Sequence, residues 1–147
     1  MRAEQQSLTD YLKRIAFNVV GSSRLYNYSY NKITACDASF IIALSRPLVK
    51  EYNGCYTIEY LFDISSFEKW HSFLNGDKSE IERQCNRLSI ASMVDVSEAD
   101  PDLINLLAEN MKHSWVCSIT EQITCDFDVP ILFDDTGSPA LTFYVRR

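Results

Sequence analysis

Apolar residues recur every three or four positions in some stretches of this chain and every second position in others, and the two periods predict its elements. Leu8, Tyr11, Leu12, Ile15, Ala16 and Val19 line one face of a helix that Ser7 opens, with Asp10 three residues on, and that Gly21-Ser22-Ser23 ends. From Arg24 to Lys32 the period is two, so Tyr26, Tyr28 and Tyr30 fall on one side of a strand. The run Phe40–Leu44 fits a buried strand or the core of a helix capped by Asp37; the nearby Pro47 favours the strand. Asn53-Gly54 is a turn signal, and the alternation from Tyr56 to Phe62 predicts a second strand after it.

Two short helices come next. Ser65-x-x-Glu68 reads as a capping box, with Phe67, Trp70, His71 and Leu74 sharing a face, and Asn75-Gly76 stops that helix. Asp77-x-x-Glu80 opens another, with Ile81, Cys85 and Leu88 inward. Residues Ile90 to Val96 fit a strand. Asp100-Pro101 starts a helix with proline at its first position and an apolar face of Leu103, Ile104, Leu107, Ala108 and Met111. From Trp115 to Val129 the odd positions are apolar except Glu121 and the even ones mostly polar, which predicts an antiparallel strand with a bend or turn near Glu121. Asp134 to Pro139 is a turn, and Leu141, Phe143 and Val145 lead a last strand. Strands and helices mix without a regular βαβ order. The expected fold is therefore α+β, with a mostly antiparallel sheet and three to four helices packed on it, in one domain spanning 1–147.

Charge changes this picture more than composition does. Ten carboxylates and one lysine lie between Asp95 and Asp135, whereas residues 1–50 hold seven bases and three acids. Such a split concerns partners and association rates rather than fold. With a pI near 4.8, the chain is a poor binder of a phosphate backbone or an anionic membrane surface. No apolar run is long enough to span a bilayer, and the first seventeen residues lack the apolar core of a signal peptide, so the expected location is cytoplasmic. Five scattered cysteines agree with a reducing compartment; without C-x-x-C spacing, and with only His71 and His113 beside them, they give no zinc site.

The carboxylates divide by the work they do. Asp100 and Asp102 flank a helix N-terminus, which stabilises them, and Asp134 and Asp135 are turn residues. Asp126 and Asp128 share the polar side of the predicted strand, where like charges repel and no structural rule asks for them. A solvated surface accounts for such a cluster as well as a docking face does. With Asp95 and Glu98, these residues form the candidate surface for a basic protein, and Tyr26, Tyr28 and Tyr30 are candidate anchors within it. As magnesium or calcium ligands the same acids fit no loop spacing. Glu121 is either turned to water or a buried acid. His71 reads as a packing residue, His113 as the end of a helix, and Cys117 and Cys125 as inert thiols on a core face. No nucleophile elbow, phosphate loop, zinc helix or dinucleotide fingerprint occurs, so the chain is read as a non-enzyme that needs no cofactor.

In size, charge and lack of a catalytic signature the chain resembles bacterial immunity proteins. That resemblance implies a basic partner, a toxin domain of nuclease type, whose active surface the acidic segment would occlude. Two alternatives remain at this point: an enzyme built on a site such as Glu121 with His113, or a homodimer joined through the tyrosine strand.

Overall fold

A computed structural model describes residues 7–21, 32–97 and 99–147, with the side chains of 15–17, 19 and 20 excepted. The tyrosines Tyr26, Tyr28 and Tyr30, and Glu98, lie outside the described residues. The chain divides into two units, residues 1–44 and 45–147.

The first unit is helical where it is described. Helix α1 (Leu8–Val20) starts as its sequence predicts: the Asp10 amide donates to Ser7 Oγ at 3.1 Å, and Gly21 follows the last turn at φ 69°. Helix α2 (Ala35–Ser45) replaces the strand expected at Phe40–Leu44. Thr34, not Asp37, is its cap. The Asp37 amide donates to Thr34 Oγ1 at 3.1 Å, and the Asp37 carboxylate accepts the Thr34 amide at 2.9 Å. This reciprocal box nucleates a helix. Pro47 did not discriminate, because proline commonly follows just beyond a helix end as well.

The second unit begins with a hairpin, β1 (Val49–Tyr52) and β2 (Cys55–Ile58), paired antiparallel from Val49↔Ile58 to Tyr52↔Cys55. Asn53 and Gly54 close it at φ 51° and 74°, the two left-handed residues that a tight hairpin turn requires. The expected strand from Tyr56 to Phe62 stops at Ile58 and gives way to one 3-10 turn, Glu59–Leu61.

Helix α3 (Ile64–Phe73) is capped by Asp63, which accepts the Ser66 amide, and not by Ser65. Phe67 is its buried residue and His71 stacks on Phe67, as the packing reading expects. Asn75 and Gly76 then turn the chain, and Asp77 caps α4 (Lys78–Cys85) by accepting the Glu80 amide. A two-residue strand β3 (Leu88–Ser89) leads into helix α5 (Ile90–Met93), where a strand was expected.

The largest departure follows. Helix α6 starts at the predicted Asp100-Pro101 signal but runs to Thr120, so the first six residues of the expected Trp115–Val129 strand are helical. Ile104, Ala108, Met111, Trp115 and Ile119 form one stripe against the core. Trp115 and Ile119 fit either period, since a spacing of four is even and also one helical turn. Glu121 is the C-cap and is exposed, as the turn expected there requires. His113 is accordingly two turns inside a helix rather than at its end.

The remaining strands are short: β4 (Phe127–Asp128), β5 (Ile131–Phe133), β6 (Pro139–Leu141) and β7 (Tyr144–Val145). Leu141, Phe143 and Val145 are buried as expected, though Leu141 ends β6, Val145 ends β7 and Phe143 lies between the two strands. The sheets, β1–β2, β3–β6–β5 and β4–β7, are antiparallel throughout, so the fold is α+β. The main core joins Ile58, Ile90, Trp115, Ile119, Leu141 and Phe143; a smaller cluster joins Cys55, Phe67 and Ile81.

Candidate functional site

Glu82 of α4 and Asn86, the residue that caps its C-terminal end, tie together strands that do not pair with each other. Glu82 and Asn86, one helical turn apart, are both fully buried. Glu82 accepts the Tyr56 amide of β2 at 2.7 Å and the Val145 amide of β7 at 2.8 Å, and the Arg147 guanidinium closes on both of its oxygens. Asn86 accepts the Ile58 amide and donates to the Tyr56 and Phe143 carbonyls. Every polar atom of the pair is used, so the buried acid is a structural bridge with no lone pair left for catalysis. Sequence reasoning missed it. Each of the two residues directly follows a core residue, Ile81 or Cys85, about 100° further round the helix, and nothing in that pattern separates Glu82 from the exposed-face acid Glu80.

The C-terminal edge accounts for another predicted pair. Arg146 donates to both oxygens of Asp128, Tyr144 donates to the same carboxylate at 3.1 Å, and Asp126 stands 4.0 Å from Arg146. The Arg83 guanidinium lies over the Tyr144 ring at 4.2 Å. The hydrogen bond from Arg146, above all, holds the Asp128 carboxyl below its usual range. Asp128 therefore has a structural partner that the charge pattern did not reveal, whereas Asp126 is largely exposed and meets the same guanidinium only at longer range.

The other predicted acids sit where local geometry uses them. Asp95 accepts the Ser97 amide and hydroxyl, and Asp100 accepts the Asp102 amide at the start of α6. Asp134 knots its turn by accepting from the Thr136 amide and hydroxyl and from the Ser138 amide. Asp102 and Asp135 are exposed and add charge beside them.

The fold brings together the segments that carry these two acidic pairs. The β5–β6 turn abuts the first turns of α6, and between them lies a cleft of about 230 Å³ with Val96, Pro101, Ile104 and Pro139 among its apolar lining. Asp100 and Asp102 flank it on the helix side; Asp134 and Asp135 precede the loop that forms the other wall. Ser138 lines the same cleft, and its hydroxyl is buried without a partner. Arg87 is near enough to help hold the Asp134 carboxyl low, after the larger effects of Thr136 and Ser138. The lining itself is half apolar, and the four carboxylates are its neighbours along the chain rather than part of it; an apolar patch with acids nearby suits a lysine or arginine side chain, whose stem is apolar and whose head is cationic.

Several carboxyls are held low by hydrogen bonds: Asp63 and Asp95 as well as Asp128 and Asp134. A folded-state value below the unfolded one contributes stability above the unfolded value, and that contribution is lost as pH falls through the folded one. Urea midpoints are expected to hold steady at neutral pH and to fall progressively below about pH 4, near the ordinary carboxylate range. A midpoint unchanged between pH 7 and pH 3 would contradict this.

Cys125 is half-buried against the core as expected, but Cys117 is exposed on α6, with Sγ 3.8 Å from His113 Nε2. The thiol left the core face because the segment is helical. Glu121 lies two turns beyond His113 on that helix, outside its reach, so no acid–base pair forms from those two. Among the described residues, no group of three or more histidines, cysteines and carboxylates could hold a metal ion, and no helix is long and apolar enough to cross a membrane. Compared with protein-family models, curated proteins and solved structures, the chain matches none.

Proposed function

We propose that this chain is a binding protein for a basic protein partner, of the immunity-protein type, and that it acts by occluding a cationic active surface such as that of a nuclease-type toxin domain. The observation that carries this reading is that the start of the helix bearing Asp100 and Asp102 and the turn that follows Asp134 and Asp135 meet at one cleft. Segments more than thirty positions apart in the chain thus bring like charge near one place. Lysines and arginines that would hold nucleic acid in such a partner are the groups these acids attract. Steering by the acids raises the association rate, and one inserted cationic side chain would anchor on the cleft floor and slow dissociation.

The structure refines the variant that tests this. Asp126 and Asp128 are left alone, because removing their charge also removes the partner of Arg146. Asparagine at 100, 102, 134 and 135 removes four charges while keeping the side-chain acceptor that the helix cap and the turn use. The wild-type chain serves as bait at low salt, and the basic protein it retains is purified. Association of that protein is expected to slow by about tenfold to a thousandfold in the D100N/D102N/D134N/D135N variant, with the wild-type advantage shrinking as salt rises. Equal association rates for the two chains would end the reading.

A further inference from the structure

Cys117 and His113 form the one described thiol–imidazole pair of this chain, and nothing derived above uses it. They lie one turn apart on α6, both exposed, with Sγ 3.8 Å from Nε2. We propose that Cys117 is a thiol-modification site that forms a mixed disulfide with a small disulfide of the oxidised-glutathione class, with His113 accepting the thiol proton.

The other thiols are set apart by their surroundings. Cys55 is buried, and burial followed by the field of Glu82 pushes its thiol up. Cys85 is half-buried and pushed up to about 11, chiefly by burial. Cys125 is half-buried against the core. A disulfide must present a sulfur in line with the attacking thiolate, which a buried thiol does not allow without local unfolding. That leaves Cys36, also exposed, as an internal comparison. Cys117 differs from it in carrying an imidazole on the adjacent turn of a twenty-residue helix.

The step balances. With its own proton on Nδ1, His113 takes the Cys117 proton at Nε2. The Cys117 thiolate attacks one sulfur of the small disulfide, the new S–S bond forms, and the old one breaks. The departing thiolate carries away the electron pair and takes the proton back from the imidazolium or from water. Cys117 is oxidised to the disulfide level, and one half of the reagent is reduced to a thiol.

The full chain, its His113→Gln variant and its Cys117→Ser variant are treated with oxidised glutathione at neutral pH, and each cysteine is followed by mass spectrometry. Cys117 is expected to be the first thiol modified, at a rate that falls roughly tenfold in H113Q, while the slower reaction of Cys36 is the same in every variant. Both substitutions are on the exposed face of α6, so circular dichroism is expected to be unchanged. A faster reaction at Cys36 in the wild-type chain, or an H113Q rate at Cys117 equal to wild type, overturns the proposal.

Discussion

Glu82→Ala is expected to destabilise the 45–147 unit by about 3 to 5 kcal/mol, the range for removing one partner of a buried charged pair. The loss has identifiable parts. The amides of Tyr56 and Val145 each keep no acceptor when the carboxylate is gone. A buried donor left without a partner costs roughly 1 to 3 kcal/mol. Arg147 contributes less to the loss, because its side chain is about a third exposed and can turn to water. Beyond these local costs, β2 and β7 are held to one another through α4 and not by a shared ladder, so the carboxylate is a joint between two sheets. In a unit of this size a loss of that order lowers the melting temperature by roughly 15 to 30 °C. Glu59→Ala is the contrast: its ion pair with Lys50, 2.8 Å long, is exposed on both sides and is expected to matter by less than about 1 kcal/mol. Urea unfolding of the two variants checks both values. A Glu82→Ala loss below about 1 kcal/mol would mean that the bridge does not hold the sheets.

Helix starts were legible in this sequence because capping is local chemistry. Asp77 and Asp100 were read correctly, since the capping carboxylate and the amide that donates to it lie within three residues of one another. The Asn53-Gly54 hairpin turn was legible for the same reason: two left-handed residues in sequence leave few other conformations. Strand lengths were not legible. Tyr56 to Phe62 alternates but for Leu61, yet the ladder ends at Ile58, where the four residues of β1 opposite run out. The site divided in the same way. That Asp134 belongs to a turn and Asp100 to a helix start could be read from neighbours. That these two segments meet at one cleft, and that Asp128 belongs to Arg146 eighteen residues on, follows only from tertiary packing. Glu82 is the extreme case: its partners are 26, 63 and 65 residues away, and none leaves a mark on the local pattern.

Trp115→Ala is expected to cost about 3 to 5 kcal/mol, and its companion variants separate the two periods that overlapped at this residue. Trp115 is fully buried at the centre of the main core, and its indole also hydrogen-bonds the Tyr60 hydroxyl. Alanine leaves a large cavity; phenylalanine keeps most of the ring volume and is expected to cost roughly half as much. Burial alone does not tell a strand tryptophan from a helical one, but its neighbour does. Val116 is on the outer side of α6, four residues before its end. A proline there removes a hydrogen bond inside the helix and clashes with the carbonyl of Lys112, a cost of about 3 kcal/mol, whereas an exposed position on an edge strand tolerates it. Helix α6 thus predicts that Val116→Pro and Trp115→Ala are comparably destabilising, although one residue faces water and the other the core. Equilibrium unfolding that finds Trp115→Ala severe and Val116→Pro mild would return residues 115–120 to the extended conformation that their alternation first indicated.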